Sequence, residues 1–337
     1  MANSTKSIHP KGLYVLFFTE MWERFSYYGM RAIFVLYLAA KATGLNPGAG
    51  WEKADALALY GWYTMMVYVM AVPGGIIADR FLGQKKTVML GGILLCIGHF
   101  ILALDTIQAF YIGCVFIVLG VGALKPNISS MVGSLYRKND PNRTKGFTLF
   151  YIGINIGAFT APLLVGYIGE TINWHYGFGL AGIGMLIGQL VYIWGQKHLK
   201  GIGDFVPKVI DPASGKKAKE PLTKIEKDRM VVLGLTFLIA IIFWGAYEQA
   251  GGLMNLFTKE SVNRSIGSSV VPTSWFQALH AFYVILIGVP VAFIWNYLRK
   301  KGKPNSTIFK MGVGTIITGV GFIFLAKAAY DASTLST

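Results

Sequence analysis

Residues 19–34 read TEMWERFSYYGMRAIF and place four charged side chains inside a segment that is otherwise apolar and aromatic. The apolar run around them extends from Leu13 to Ala40, and the four are Glu20, Glu23, Arg24 and Arg31. A single charge at the centre of a membrane helix costs about 2.5–3.5 kcal/mol on insertion scales. Four charges on one helix therefore predict that these side chains face one another or a water-filled cavity, as in a substrate or proton pathway.

The composition is that of a polytopic membrane protein. Of 337 residues, 54% are hydrophobic and 14% are charged, whereas a soluble domain carries about 25% charged residues. The net charge of +15 does not indicate nucleic-acid binding, because most basic residues lie in short loops between apolar runs.

Nine apolar segments have the length needed to span a bilayer, about 20 residues. They are 13–40, 54–79, 85–104, 107–134, 146–169, 174–196, 228–257, 274–298 and 307–329. We predict an N-terminal six-helix bundle (1–196), a cytoplasmic linker (197–227) and the first three helices of a C-terminal bundle (228–337). Two six-helix halves are the plan of the major facilitator fold. The predicted fold class is therefore an all-α membrane protein of that type, with an incomplete, apparently truncated C-terminal bundle.

Basic residues are distributed unequally between the two sets of loops. Of the 31 Lys and Arg residues, 23 lie at the N-terminus and in the loops after spans two, four, six and eight, and five lie in the alternate loops. By the positive-inside rule, the N-terminus and the long loop 197–229 face the cytoplasm.

The loop after the second span, GGIIADRFLGQKK at residues 74–86, resembles the signature loop of the major facilitator superfamily. The matching residues are Gly75, Asp79, Arg80, Gly83 and Lys85 or Lys86. Glycine at position 83 permits a tight turn. The resemblance implies that Asp79 and Arg80 bond helix ends at a cytoplasmic gate.

The first span carries E-x-x-E-R-F-x-Y-Y-G from Glu20 to Gly29, which resembles the signature of the proton-dependent oligopeptide transporter (POT) family. Further segments resemble motifs of the same family: G-x-L-K-P-N at 122–127, F-x-x-F-Y-x-G-I-N-x-G-A-F at 147–159 and F-W-x-x-Y-E-Q at 243–249. The resemblance implies a symporter in the bacterial inner membrane that imports di- and tripeptides by alternating access. It implies H⁺ as coupling ion, the lipid bilayer as surroundings, and no cofactor, metal or enzymatic activity.

Helical geometry supports a shared site on the first span. At 100° per residue, Glu20, Arg24, Tyr27 and Arg31 fall within a stripe about 60° wide, which Glu23 and Tyr28 flank. This stripe offers carboxylates, guanidinium groups and phenol hydroxyls to one cavity. The alternative is a purely structural set of ion pairs, such as Glu20 with Arg24 at i,i+4.

Lys125 has no acid nearby in sequence, so we expect a partner from another helix, either Glu20 or Glu23. Apart from Asp228 at its first position, Glu248 is the only acid of its span, and low dielectric favours the protonated form of a lone carboxyl. The resemblance assigns proton coupling to Glu20, Glu23, Arg24, Lys125 and Glu248. It assigns peptide binding to Arg24, Tyr28, Arg31, Tyr68, Lys125, Asn155, Trp244, Tyr247, Glu248 and His280.

The chain departs from its relatives at several positions. Mammalian peptide transporters carry a histidine after the tyrosine that matches Tyr60, where this chain has Gly61, so coupling cannot use a histidine there. The family often shows Q-x-x-N-P where this chain has Gln277 to Ala281, with His280 replacing the asparagine. His280 is either an added titratable group or a packed neutral side chain. The extra helix pair of many bacterial members is not expected, because residues 198–227 are too polar to span.

Rival functions stay open at this point. A family member that moves nitrate or a single amino acid shares most of these features, and a channel or receptor is a rival from another class. An intramembrane enzyme is disfavoured, because H-E-x-x-H, G-x-S-x-G and paired membrane aspartates are absent from the sequence.

Overall fold

The computed structural model describes residues 9–205, 223–304 and 306–335, which are almost entirely helical. The first seven helices are α1 (Lys11–Ala39), α2 (Lys53–Val69), α3 (Ala71–Ile77), α4 (Gln84–Leu102), α5 (Ile107–Ser134), α6 (Asn142–Thr171) and α7 (Trp174–Gly195). The later helices are α8 (Lys224–Tyr247), α9 (Leu253–Ser261), α10 (Trp275–Lys300) and α11 (Thr307–Leu335). A two-residue antiparallel hairpin joins β1 (Ser265–Ile266) to β2 (Ser269–Val270), with Ser265 opposite Val270.

Each of the nine predicted spans coincides with a helical segment. Within the described residues, eight segments are long and apolar enough to cross a membrane. The first span, α1, is not among these eight, although its 29 residues suffice in length. The four charged side chains within its apolar run 13–40 make it less apolar than the rest, so its place in the membrane depends on how those charges are neutralised.

Two spans are interrupted where the sequence predicts continuous helices. The second breaks at Met70, resumes as α3 and ends in a π-helical turn over Ala78–Leu82. The seventh ends at Tyr247, passes through a 3-10 turn over Glu248–Gly251, and restarts as α9 after Gly252. The backbone angles of Gly252, φ −107° and ψ −104°, lie outside the helical region. Consecutive glycines favour such a break because they lack a Cβ.

The described chain divides into two compact units. Of the described residues, the first unit comprises those up to 205 together with 264–285, and the second comprises those of 223–263 together with those of 286–335. Residues 264–285 belong to the first unit because the start of α10 packs on α1 and α6, whereas the sequence places them in a C-terminal bundle. Residues 206–222 of the predicted linker lie outside the described residues, so the predicted domain ranges stay predictions.

In the first unit, α1 is the central helix and packs against α6 and α7. Its buried side chains include Glu20, Glu23, Arg24 and Arg31, whereas Lys11 at its start is exposed. Close packing depends on small residues of α6: a Cβ on Gly157 would lie 2.2 Å from the carbonyl oxygen of Met21. The charges of α1 are thereby held inside protein, away from lipid.

Candidate functional site

Three charged side chains of α1 form one buried cluster. Nε of Arg24 lies 3.1 Å from Oε1 of Glu20, and the same nitrogen also pairs with Glu23. All three residues are almost completely buried, with 2% or less of their surface exposed. Two carboxylates therefore share one guanidinium, which leaves the cluster one cation short when both carboxylates are ionised.

Lys125 on α5 supplies a second cation from another helix. Its ammonium lies within electrostatic reach of Glu20, the type of partner that the sequence predicts. Its Nζ also lies 4.9 Å from the ring centroid of Tyr68 on α2. Such cation–π contacts contribute about 0.5–2 kcal/mol, depending on desolvation. Helices α1, α2 and α5 thus converge on one group of charged and aromatic side chains.

Arg31 lies two turns beyond Arg24 on α1. Its guanidinium carbon is 5.6 Å from the ring centroid of Tyr28, as that of Arg24 is 5.3 Å from Tyr27. Arg31 is 4% exposed and lies within electrostatic reach of His280 on α10. The structure therefore brings His280 of α10 to the side of the first unit that carries Arg31.

Asn155 on α6 is 5% exposed, and its side-chain nitrogen donates a 2.8 Å hydrogen bond to the carbonyl oxygen of Tyr151 in its own helix. This bond ties the side-chain amide to the backbone of α6. Its predicted contact with a peptide stays a prediction.

The remaining predicted residues, Trp244, Tyr247 and Glu248, belong to the second compact unit. The ring centroids of Trp244 and Tyr247 lie 5.1 Å apart in an edge-to-face arrangement, and Phe243 stacks on Tyr247 at 6.1 Å. Glu248 opens the 3-10 turn that follows α8. This interruption places the acid at a helix end, which the sequence alone does not indicate.

The superfamily loop forms the tight turn that was predicted. Gly83 has φ +78°, and a Cβ there would lie 2.5 Å from the backbone nitrogen of Phe205. The backbone of Lys85 donates to the carbonyl oxygen of Gly203 at 2.9 Å, and its ammonium lies 3.6 Å from Asp204. Sequence reasoning missed this contact with residues 203–205. Asp79 and Arg80 lie exposed in the π-helical turn, and their role at a gate stays a prediction.

Sequence reasoning also missed Glu170, at the end of α6. Its two carboxylate oxygens accept hydrogen bonds from the backbone N–H groups of Thr273 and Ser274, at 2.9 and 2.8 Å. These residues directly precede α10. About one hundred residues separate the partners, so no local pattern reveals the contact.

Comparison with known proteins shows similarity along nearly the whole chain. Residues 85–216 and 214–336 match the family PTR2, described as the POT family. YclF of Bacillus subtilis (strain 168), described as an uncharacterized transporter, is 36% identical over 95% of this chain and 74% of its own length. The di-/tripeptide transporter of Lactococcus lactis subsp. cremoris is 35% identical over 94% of this chain and 75% of its own.

A solved structure supports the same relationship. The crystal structure of a peptide transporter POT in complex with sulfate matches with a TM-score of 0.79 at 32% identity, covering 94% of this chain and 74% of that one. The predicted fold class, a helical transporter of the major facilitator type, is confirmed by this match.

Proposed function

Because the chain belongs to the POT family, we propose that it is a proton-coupled symporter that imports di- and tripeptides by alternating access. The observation that supports this most strongly is the buried cluster in which Glu20 and Glu23 share Arg24. Ionisable groups inside a membrane are costly and mark substrate or proton pathways. The relative from Lactococcus lactis that carries the name di-/tripeptide transporter supports the choice of substrate.

The peptide carboxylate would bind the cationic side of the site, formed by Arg24, Arg31 and Lys125. Arginine suits this role because its planar guanidinium binds carboxylates through two parallel hydrogen bonds. Tyr28, Tyr68 and Asn155 would bond the peptide backbone, and His280 would act beside Arg31. Trp244 and Tyr247 would line an adaptable side-chain pocket, and Glu248 would pair with the peptide ammonium.

Proton coupling follows from competition for the shared cations. A peptide carboxylate that takes Arg24 or Lys125 removes a partner from Glu20 and Glu23. A buried carboxylate without its cation favours protonation. Binding of peptide and proton would then reinforce one another, and Glu248 would carry a proton in the second unit. The membrane potential contributes about 2.3 kcal/mol per charge per 100 mV to inward proton movement.

The protein would lie in the bacterial inner membrane with its N-terminus in the cytoplasm. The unequal distribution of Lys and Arg between the two sets of loops supports this orientation.

Uptake of labelled dialanine into proteoliposomes tests the function. The purified full chain should accumulate dialanine when the outside is acidic, and a protonophore should abolish accumulation. Unlabelled dipeptides should compete, whereas nitrate and free alanine should not. Uptake that ignores the pH gradient would contradict proton coupling, and competition by nitrate or alanine alone would favour a different substrate.

A further inference from the structure

Glu170 makes a contact that the binding site does not use. The carboxylate holds the two backbone N–H groups that lead into α10, one on each oxygen. Hydrogen bonds to an ionised acceptor are about twice as strong as neutral ones, and a negative charge is favoured at a helix N-terminus. Thr273 and Ser274 are completely buried, whereas Glu170 is partly exposed, so the contact lies at the edge of the buried interior.

The end of α6 is anchored independently of α10. The side-chain nitrogen of Asn46, in the loop after α1, donates to the carbonyl oxygen of Gly169 at 2.8 Å. Its oxygen accepts from the backbone N–H of Trp174 at 3.2 Å. The end of α6 that carries Glu170 is therefore held in place without α10, and the Glu170 carboxylate bonds the start of α10 to it.

Beyond Glu170, the start of α10 packs against α6 and α1. We call this contact surface the seam. The indole nitrogen of Trp275 donates to the carbonyl oxygen of Leu163 at 3.0 Å, and the side-chain nitrogen of Gln277 donates to that of Ala32 at 3.3 Å. A Cβ on Gly166 would lie 1.9 Å from the hydroxyl oxygen of Ser274, so only glycine allows this approach. Ala32 lies on α1, so the seam contacts the helix that carries the proposed substrate site.

We propose that Glu170 is a positioning residue that latches this seam closed and must release α10 before the site can open to the non-cytoplasmic side. The inference rests on the alternating access and membrane orientation proposed above. On that orientation, α6 ends and α10 begins on the non-cytoplasmic side. Because the latch uses charge and the rest of the seam uses neutral contacts, removing the carboxylate should favour opening without removing the packing.

Cysteine accessibility measures this opening directly. Thr273→Cys in a Cys96→Ala chain places a thiol in the buried seam, while the buried native Cys114 serves as internal reporter. Reconstituted protein is treated with a membrane-impermeant maleimide, and labelling at each cysteine is quantified by mass spectrometry. Adding Glu170→Ala should speed labelling at position 273 at least about tenfold, a factor equivalent to about 1.4 kcal/mol, because both charge-assisted hydrogen bonds to α10 are lost.

Matched variants separate the latch from general loosening. Glu170→Gln, which keeps one neutral acceptor, should give an intermediate rate. Gly166→Val should open the same seam with the carboxylate intact. Asp105→Asn, which removes an exposed acid that pairs with His175, should change nothing.

Equal rates at position 273 with and without Glu170→Ala would overturn the proposal, as would a parallel rise at Cys114, which indicates unfolding. The assay needs neither peptide nor proton gradient. Failure of dialanine uptake would therefore reject the peptide function while leaving the labelling result to decide on the latch.

Discussion

At the scale of single residues, the cation balance around Glu20 and Glu23 determines coupling. Arg24 alone serves two carboxylates, and Lys125 adds the charge from α5. We expect Lys125→Ala to reduce gradient-driven uptake of dialanine to background, while counterflow of peptide persists. Lys41→Ala, in an exposed loop, is the matched control and should transport normally. Normal accumulation by Lys125→Ala would remove Lys125 from the coupling mechanism.

Arg31 should discriminate between a free carboxylate and its amide. The guanidinium, held over the ring of Tyr28, can form a hydrogen-bonded ion pair only with the acid, because the amide is uncharged. Removing such a bond costs about 1.5–3 kcal/mol, so Arg31→Ala should weaken dialanine binding by about 10- to 100-fold. The same substitution should weaken the binding of dialanine amide much less. Arg31→Lys keeps the charge, so its affinity for dialanine should fall between those of the wild type and Arg31→Ala. Equal losses of affinity for the acid and the amide would mean that Arg31 is a structural residue.

Glu248 occupies the helix end created by the break after Tyr247. Glu248→Gln keeps the shape of the protonated carboxyl and cannot titrate, so it should abolish gradient-driven uptake and preserve peptide exchange. Glu260→Gln on α9 is the control, since it removes an acid from the same compact unit. If Glu248→Gln kept the wild-type pH profile of uptake, Glu248 would not be the coupling residue. Glu20, Glu23 or His280 would then have to carry the proton.

At the scale of elements, the packing of α6 on α1 depends on Gly157. A Cβ at this position meets backbone, 2.2 Å from the oxygen of Met21 and 3.0 Å from the nitrogen of Phe25, and backbone cannot rotate away. Gly157→Ala should therefore destabilise the bundle by about 1–3 kcal/mol, the usual cost of overpacking, visible as a lower thermal midpoint in detergent. Gly61→Ala faces open space and should leave the midpoint unchanged or higher. A similar loss in both variants would mean that helix propensity, not packing, is responsible.

The sequence predicts where helices lie much better than where they break. The apolar runs of α5 and α7 end at polar loops, so their bounds follow from hydrophobicity alone. The breaks at Met70 and Gly252 do not follow from hydrophobicity. At Gly252 the sequence is also misleading, because a glycine in a membrane helix is first interpreted as a packing residue. The i,i+4 pair of Glu20 and Arg24 follows from helical periodicity. The bonds from Glu170 to the start of α10 depend on tertiary approach, which one sequence does not contain.

At the scale of the whole molecule, the orientation in the membrane can be tested by exposed loop positions. In a chain with Cys96 and Cys114 replaced by alanine, Leu45→Cys should react with an impermeant maleimide in right-side-out vesicles. Lys138→Cys should react only after permeabilisation. Both side chains are exposed, so accessibility within the protein does not separate them. Labelling of Lys138→Cys in intact vesicles, with Leu45→Cys reacting only after permeabilisation, would show the opposite topology. The Glu170 seam would then lie on the cytoplasmic side.

The bonds of Arg24 to Glu20 and Glu23 also bear on how the protein is made. The three residues lie within two turns of one helix, and with Arg31 the apolar run 13–40 carries two acids and two bases. A nascent chain can therefore form these pairs while α1 leaves the ribosome, before α5 and α6 have been synthesised. Intrahelical pairing lowers the cost of passing charged groups from the translocon into lipid. The residues proposed to couple protons to peptides would thus first ease the insertion of the helix that carries them.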